Sequence, residues 1–168
     1  MATAAVKRMA ANTDNGLSAK ARQAIADKLV MCLADTYTLM IKSHVYHWNV
    51  VGPLFVPLHE LTEKHYRDLF EAADVIAERI RALGSPTPMN FEALVPRADV
   101  AEETAERSAT EMVEQLIADH ERTASRLRDV ALDADEADDL VTTDMLTDRL
   151  AFHEKAVWML RSIISRQP

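Results

Sequence analysis

The feature that most constrains this chain is an uninterrupted stripe of apolar positions between two glycines, Gly52 and Gly84. The members of the stripe recur at alternating steps of three and four residues, which is the period of one helix face. They are Leu58, Leu61, His65, Leu69, Ala72, Ile76, Ile80 and Leu83. The spacing predicts one long amphipathic helix that begins at Val56 or Pro57 and is stopped by Gly84.

The segments around this helix predict a second helix and a long connection. Ser18 is a good N-cap, and apolar residues at helical spacing continue from it to about Val50, where Gly52 and Pro53 follow. After the long helix, residues 85–98 contain three prolines. They predict an irregular connection with a short helical turn at about residues 90–94.

The C-terminal half predicts two more long helices. Asp99 followed by Glu102 resembles a capping box, and it predicts the start of a helix that ends near Leu132. Residues 133–139 are mostly acidic and predict a solvated connector. A last helix is expected over residues 142–166, with apolar positions on one face.

These elements predict an all-α fold. Aromatic residues make up only 5% of the chain and there are 3 glycines, which favours helices over sheets. Four long helices with a short helix or turn in the connection between the second and third describe a ferritin-like four-helix bundle. We expect this domain to span residues 17–168 and to follow a flexible N-terminal tail at residues 1–16, which lack periodicity.

Charge and cysteine content limit the function classes. The net charge of −8 disfavours a broad polyanion-binding surface and suits a protein that attracts cations. The only cysteine, Cys32, lies in an apolar run and predicts a buried, inert thiol. The sequence contains neither a secretory signal nor a membrane-spanning run, so we expect a soluble cytoplasmic protein without a membrane partner, and nucleoid association stays open.

Five candidate metal ligands flank or follow the Gly-Pro break: His47, His59, Glu63, Asp74 and Glu78. Histidine nitrogens and carboxylate oxygens suit iron, manganese or zinc. On the long helix, the last four lie roughly 100 to 200° around the axis from Leu58, so they face away from the apolar stripe. A di-iron site inside the bundle would need Glu-x-x-His pairs, and no histidine of this chain has Glu three positions before it.

One chain cannot bring these ligands to a single ion. Asp74 follows His59 by fifteen positions, which is about 22 Å along a straight helix. Two copies of the helix packed antiparallel about a two-fold axis would join the ends and create two identical sites. The alternative is a set of ordinary polar residues on a solvated face, but the complete spacing favours the metal site.

Four segments resemble the Dps family, the DNA-binding proteins from starved cells: HWNVVGPLF, LHELTE, ADVIAERIRALG and FHEKAVWMLR. The resemblance covers nearly the whole chain after the tail. It implies a ferritin-like miniferritin that assembles as a hollow homododecamer with a ferroxidase centre at the two-fold interface. It also implies that the protein oxidises Fe(II) with hydrogen peroxide or O2, stores Fe(III) mineral and protects DNA from oxidative damage.

The resemblance assigns the five ligands to two subunits. His47, His59 and Glu63 would come from one subunit, and Asp74 and Glu78 from its partner, around one or two irons. Glu63 stands where members of the family often have Asp, which keeps the charge but lengthens the side chain at the second iron position.

The resemblance suggests roles for further residues. Trp48 is a candidate for intercepting oxidising equivalents, or a packed interface residue. Glu60 is a candidate cavity carboxylate, and Asp144 and Asp148 are candidates for an acidic pore or simply helix N-terminal aspartates. His44, one turn before His47, is a candidate second-sphere residue.

Two questions stay open in the sequence. The remaining histidines fall on apolar stripes and are interpreted as packed core or interface residues: His65, His120 and His153. DNA is a further possible partner, because the tail carries Lys7 and Arg8, and twelve weak tails could bind by avidity. The alternative function is therefore a nucleoid-compacting protein in which the iron chemistry is secondary.

Overall fold

The computed structural model describes residues 15–165, and this part of the chain contains helices and no strand. The elements are α1 (Ala19–Asn49), α2 (Phe55–Ala82), α3 (Phe91–Leu94), a 3-10 turn (Val95–Arg97), α4 (Ala109–Glu136) and α5 (Leu140–Ile164). The predicted all-α class is confirmed, including the short helix in the long connection. The predicted tail lies outside the described residues, apart from Asn15 and Gly16.

The four long helices form a bundle in which α1 packs along α2 and α4 packs along α5, and α1 also contacts α4. Each contributes an apolar face to a core that has two clusters. One includes Leu29, Ile80, Leu127 and Leu146, and the other includes Leu39, Leu58, Leu69, Leu116 and Leu160. Among the described helices, none is both long enough and apolar enough to cross a membrane.

The ends of α1 and α2 follow the sequence prediction closely. The Ser18 hydroxyl accepts the amide of Ala21 at 3.1 Å and caps α1. Between the two helices Gly52 adopts φ +85°, a conformation that glycine tolerates best. At the end of α2, Gly84 adopts φ +88° while the amide of Ser85 reaches the carbonyl of Ile80 at 3.2 Å, which is a Schellman motif.

The predicted start of the third long helix was wrong. The capping box is formed by Ser108 and Glu111, and α4 begins at Ala109. Asp99 does not cap a helix, since its carboxylate pairs with Arg126, and its own amide donates to the buried Asp35 carboxylate at 2.6 Å. Asp35 also accepts from the amide of Val100 at 3.0 Å, so it fixes this connection against α1.

The predicted end of that helix was also too early. Helix α4 continues through Glu136, and most of the expected acidic connector is therefore helical. The helix stops at Asp138, which adopts φ +59°, as the amide of Asp139 reaches the carbonyl of Ala134 at 2.8 Å. Asp139 then caps α5 through the amide of Thr142 at 3.1 Å, so one Schellman turn joins the two helices.

Candidate metal centre

The Gly-Pro break brings His47 and His59 into direct contact. His47 lies in the last turn of α1 and His59 in the second turn of α2. Their rings stack with centroids 3.8 Å apart and an interplanar angle of 15°. Nδ1 of His47 lies 2.9 Å from the carbonyl oxygen of His59, and Nδ1 of His59 lies 2.8 Å from the carbonyl oxygen of His47.

This reciprocal arrangement fixes the tautomers of both rings. A carbonyl oxygen can only accept, so each Nδ1 carries the proton and donates it. In the neutral form of either ring the lone pair is therefore on Nε2, the atom left to bind a metal. Both rings are half-buried, and the Nδ1 hydrogen bonds to the opposite backbone hold the two Nε2 atoms in place.

Glu63 lies one turn after His59 and is held by an arginine. Nε and Nη2 of Arg67 donate to the same oxygen of Glu63, at 3.0 and 2.6 Å. The hydrogen bond from Arg67 holds the pKa of the Glu63 carboxyl below its usual value, and the charge of Arg67 acts in the same direction. Glu63 is therefore an ionised carboxylate on the side of the histidine pair.

Asp74 and Glu78 are not brought to the histidines. Both are exposed on the same outward face of α2, as predicted. Because α2 is one continuous helix, Asp74 lies about 22 Å from His59 along its axis. Within residues 15–165, no three His, Cys, Asp or Glu side chains of a single chain are arranged to hold a metal ion.

A group of stacked rings extends from the histidine pair. The ring of His44 stacks on Tyr66 at 4.1 Å and lies 4.0 Å from the ring of Trp48, which is 63% exposed. Tyr66 also meets His47 edge-on at 5.4 Å. Tyr66 and Arg67 were not predicted as site residues, although each follows a candidate ligand at helical spacing: Tyr66 by seven positions after His59, and Arg67 by four after Glu63.

The other candidate carboxylates lie on the surface of this chain. Glu60 is exposed next to His59. Asp144 and Asp148 are exposed in the first turns of α5, where they line a shallow depression together with Leu140 and Val141. This placement is compatible with both interpretations of the two aspartates, as pore residues and as helix N-terminal residues.

The remaining histidines are core residues, as predicted. His65, His120 and His153 are 3%, 0% and 1% exposed. Nδ1 of His120 lies 2.9 Å from Nδ1 of His153, and the ring of His65 meets that of His120 edge-on at 5.1 Å. Burial lowers the pKa of His65 to about 4 and that of His153 to about 3, so all three rings are neutral near pH 7.

Comparison with known proteins places the chain and its fold in a family. A family profile described as a ferritin-like domain matches residues 26–167. The chain is 38% identical over 144 residues to a "DNA protection during starvation protein" of Brevibacillus brevis, which covers 85% of this chain and 96% of that protein. The chain belongs to the Dps family.

Two further proteins are similar to this Dps-family chain. It is 44% identical over 155 residues to an "uncharacterized low temperature-induced protein" of Nostoc sp., with 91% of this chain and 87% of that protein covered. It superposes on the crystal structure of a Dps protein from Vibrio cholerae with a TM-score of 0.87 and 28% identity, over 95% of this chain and 99% of the other. That protein is described as a member of a superfamily of ferritin-like diiron-carboxylate proteins.

Proposed function

We propose that this Dps-family protein is a ferroxidase that oxidises Fe(II) at sites shared by two subunits and stores the oxidised iron. The observation that carries the proposal is the reciprocal pair of hydrogen bonds between His47 and His59. It leaves the Nε2 atoms of both rings available to bind a metal. They lie at one end of the outward face of α2, which carries the candidate carboxylates. Imidazole nitrogen with carboxylate oxygen is a ligand set that suits iron.

A single antiparallel register of two α2 helices supports the shared site. In an antiparallel pair of identical helices, the numbers of any two opposite residues add up to the same value. His59 and Glu78 have the same sum as Glu63 and Asp74. A two-fold axis between Asp68 and Leu69 would therefore place both pairs opposite each other at once. Each site would take His47, His59 and Glu63 from one subunit, and Asp74 and Glu78 from its partner.

Exposed apolar side chains on the same face support the pairing. Phe70 is 59% exposed beside the proposed axis, and Val56 and Phe55 at the start of α2 are 58% and 42% exposed. Trp48, at the end of α1, is 63% exposed. Large apolar side chains gathered around a candidate site are typical of a surface that is covered by another subunit.

The ligand set suits oxidation of iron, which is the substrate here. Carboxylate oxygens stabilise Fe(III) more than Fe(II), because the interaction with a fixed negative charge increases with the charge of the ion. Two Fe(II) ions each release one electron, and the two electrons break the O–O bond of hydrogen peroxide. Two protons are taken up and two waters form, so the reaction consumes both reactants that would otherwise generate hydroxyl radicals.

Storage completes the proposed function. We infer that twelve subunits enclose a cavity in which the Fe(III) mineral grows on inward carboxylates such as Glu60. We assign Asp144 and Asp148 to an acidic opening of this shell through which cations enter. Their exposure on α5 supports this role. The name of the Brevibacillus brevis relative supports protection of DNA as the biological outcome.

The decisive experiment mixes two inactive variants. His59→Ala and Asp74→Ala each remove one ligand from every site, His59 from one subunit's half and Asp74 from the other's. With peroxide, each variant alone should therefore oxidise Fe(II) at least about tenfold more slowly than the wild type. Dimers that contain one chain of each variant retain one site with all its ligands. Mixed assemblies, refolded together, should therefore recover up to about a quarter of the wild-type sites.

The outcomes of the mixing experiment separate the alternatives. Recovery of Fe(II)-dependent absorbance growth supports the shared site, and Lys64→Ala, an exposed neighbour off the ligand positions, should behave as the wild type. No recovery despite mass-spectrometric proof of mixed dimers would contradict the inter-subunit geometry. Wild-type protein without any iron oxidation would contradict the function itself.

Direct DNA binding is the second candidate function, and it depends on the N-terminal segment. Lys7 and Arg8 lie outside the described residues, so the structure gives no support for a DNA contact there. A salt-dependent gel shift that is lost on deletion of residues 1–14, with iron oxidation unchanged, would support a separate DNA-binding role. Without any shift at low salt, protection of DNA would rest on iron chemistry alone.

A further inference from the structure

Asn15 and Gly16 are the only Asn-Gly pair of the sequence, and they lie in the turn that leads into α1. The backbone amide of Leu17 donates to Oδ1 of Asn15 at 3.3 Å, which is an Asx turn. The ring that this hydrogen bond closes includes the backbone nitrogen of Gly16. The turn therefore holds the side-chain amide of Asn15 over the peptide group of Gly16, and glycine has no side chain to shield that nitrogen.

The side-chain amide of Asn15 is arranged to lose its nitrogen. Nδ2 is buried and has no hydrogen-bond partner within residues 15–165, so its release breaks no hydrogen bond of the described chain. The donation from Leu17 draws electron density toward Oδ1. A fixed N–H donor at that oxygen stabilises the negative charge that develops there when a nucleophile attacks Cγ. The turn therefore activates the Asn15 amide for attack by a neighbouring nitrogen.

A positive charge lies beside the same turn. Nη1 of Arg22 donates to the carbonyl oxygen of Leu17 at 2.8 Å, and Arg22 is half-buried. The turn also precedes the first amides of α1, which form the positive end of the helix dipole. A backbone nitrogen attacks a carbonyl carbon only after it has lost its proton, and a neighbouring positive charge stabilises the resulting anion. Arg22 therefore favours the reactive form of the Gly16 amide.

We propose that Asn15 is a site of spontaneous deamidation in the folded protein, at a turn that Leu17 and Arg22 prepare for the reaction. The nitrogen of Gly16 bonds to Cγ of Asn15, the Cγ–Nδ2 bond breaks, and ammonia leaves with the proton from Gly16. Water then opens the cyclic imide at either carbonyl, which gives aspartate or isoaspartate. One water is consumed and one ammonia is released, without any change of oxidation state. The reaction does not depend on the proposed iron chemistry.

The modification changes the chain where residues 1–14 join the bundle. It adds a negative charge to a protein whose net charge is −8, at the end of α1 where the helix dipole favours an anion. Isoaspartate also inserts a methylene group into the main chain ahead of Ser18, the N-cap of α1. The bundle keeps its cap and its core, so we expect deamidation to accumulate with the age of the protein without unfolding it.

The test follows deamidation of the assembled wild-type protein over several days at pH 7 and pH 8.5, by peptide mapping with mass spectrometry in oxygen-labelled water. We expect label at Asn15, incorporated faster at pH 8.5 because the attacking nitrogen must lose a proton. Asn90 is a matched internal control: its Oδ1 also accepts a backbone amide, from Ala93 at 2.9 Å, but an aromatic residue follows it. Asn49, which a valine follows, is a second control. Neither control should react measurably.

Substitutions identify the groups that promote the reaction. Gly16→Ala should slow deamidation at least about tenfold, because its methyl group shields the attacking nitrogen. A Cβ at this position meets no atom within 4 Å, and the strain of its positive φ stays within the exposed turn. Arg22→Gln should slow deamidation about threefold, the effect of one partly exposed charge. Lys20→Gln removes the same charge from an exposed side chain that makes no hydrogen bond to residues 15–17, so it should react as the wild type does.

Comparison with the unfolded chain decides whether the fold prepares the site. Asn15 should deamidate at least as fast in the native protein as in the same protein unfolded in guanidinium chloride at the same pH. A slower native reaction would overturn the inference, because the turn would then protect Asn15. It is also overturned if Asn49 or Asn90 reacts as fast as Asn15 in the native protein, or if Arg22→Gln reacts as fast as Lys20→Gln.

Discussion

His153 and His120 illustrate how burial sets the charge of a side chain. Their Nδ1 atoms lie 2.9 Å apart in the bundle interior, and Nε2 of each ring is buried without a hydrogen-bond partner. Burial is the main cause that lowers the pKa of His153 to about 3, and the charge of Arg149 adds to it. The pKa of His120 is lowered well below its usual value of 6.5, again chiefly by burial.

These two histidines predict that the protein loses stability in acid. Below pH 6.5 the unfolded chain binds protons at both rings while the folded chain does not, so the free energy of unfolding falls as pH decreases. The loss is at most about 1.4 kcal/mol per pH unit for each ring, until the pH approaches the folded-state pKa. His153→Phe removes one of these proton uptakes.

The measurement is urea unfolding of wild type and His153→Phe between pH 7 and pH 4.5, at one protein concentration. We expect the variant to show a shallower decrease, whatever its stability at pH 7. The neighbouring charges, Arg149 paired with Asp68 at 2.7 Å, are present in both proteins and cancel in the comparison. If the free energy of unfolding falls equally steeply with decreasing pH in both proteins, His153 takes up its proton in the native state as well, and the prediction is wrong.

The helix α4 shows how local signals compete within one element. The sequence predicts a capping box at Asp99 with Glu102, whereas the structure forms one at Ser108 with Glu111. The first box does not form, because the Asp35 carboxylate accepts the amides of Asp99 and Val100 and holds this segment against α1. A buried carboxylate that is distant in sequence therefore decides where the helix begins.

A pair of alanine substitutions tests which box is used. Ser108→Ala should reduce the free energy of unfolding by about 1 kcal/mol, since it removes the acceptor for the amide of Glu111. Glu102→Ala, at an exposed position that only the unused box needs, should change it by less than about 0.5 kcal/mol. Chemical denaturation of both variants decides between the two starts, and the reverse order of effects would contradict the observed cap.

At the scale of the whole molecule, two of the exposed apolar surfaces within residues 15–165 predict a stepwise assembly. One surface surrounds the histidine pair and includes Phe70 on α2. The other lies at the start of α5, where Leu140 and Val141 are 71% and 61% exposed beside Asp144. We expect the first to form two-fold dimers and the second to join dimers around the acidic opening.

A charge placed on each surface should stop assembly at different stages. Phe70→Glu should prevent dimers and abolish iron oxidation, because the shared sites no longer form. Val141→Glu should stop at dimers that still bind Co²⁺ at the His59 site. Sedimentation velocity distinguishes these species, and a full-size assembly of Phe70→Glu would contradict the assigned two-fold face.

The sequence alone was sufficient for the number of long helices, for the bounds of α2 and for the face of α2 on which its candidate ligands lie. Periodicity is a local property, so the stripe from Leu58 to Leu83 gave the bounds of α2 within about two residues and placed Asp74 and Glu78 outward. The same local geometry showed that the ends of α2 are too far apart for one ion. These conclusions need only the fixed rise and turn of an α-helix.

Only the tertiary structure decided which atoms of the site are free to act. The Nδ1 contacts of His47 and His59 cross the Gly-Pro turn to the opposite backbone, and no sequence spacing specifies such a bond or the tautomer that it fixes. The start of α4 was likewise set by Asp35 from another helix. Hydrogen bonds between elements depend on how the elements pack, and packing is settled by the bundle as a whole.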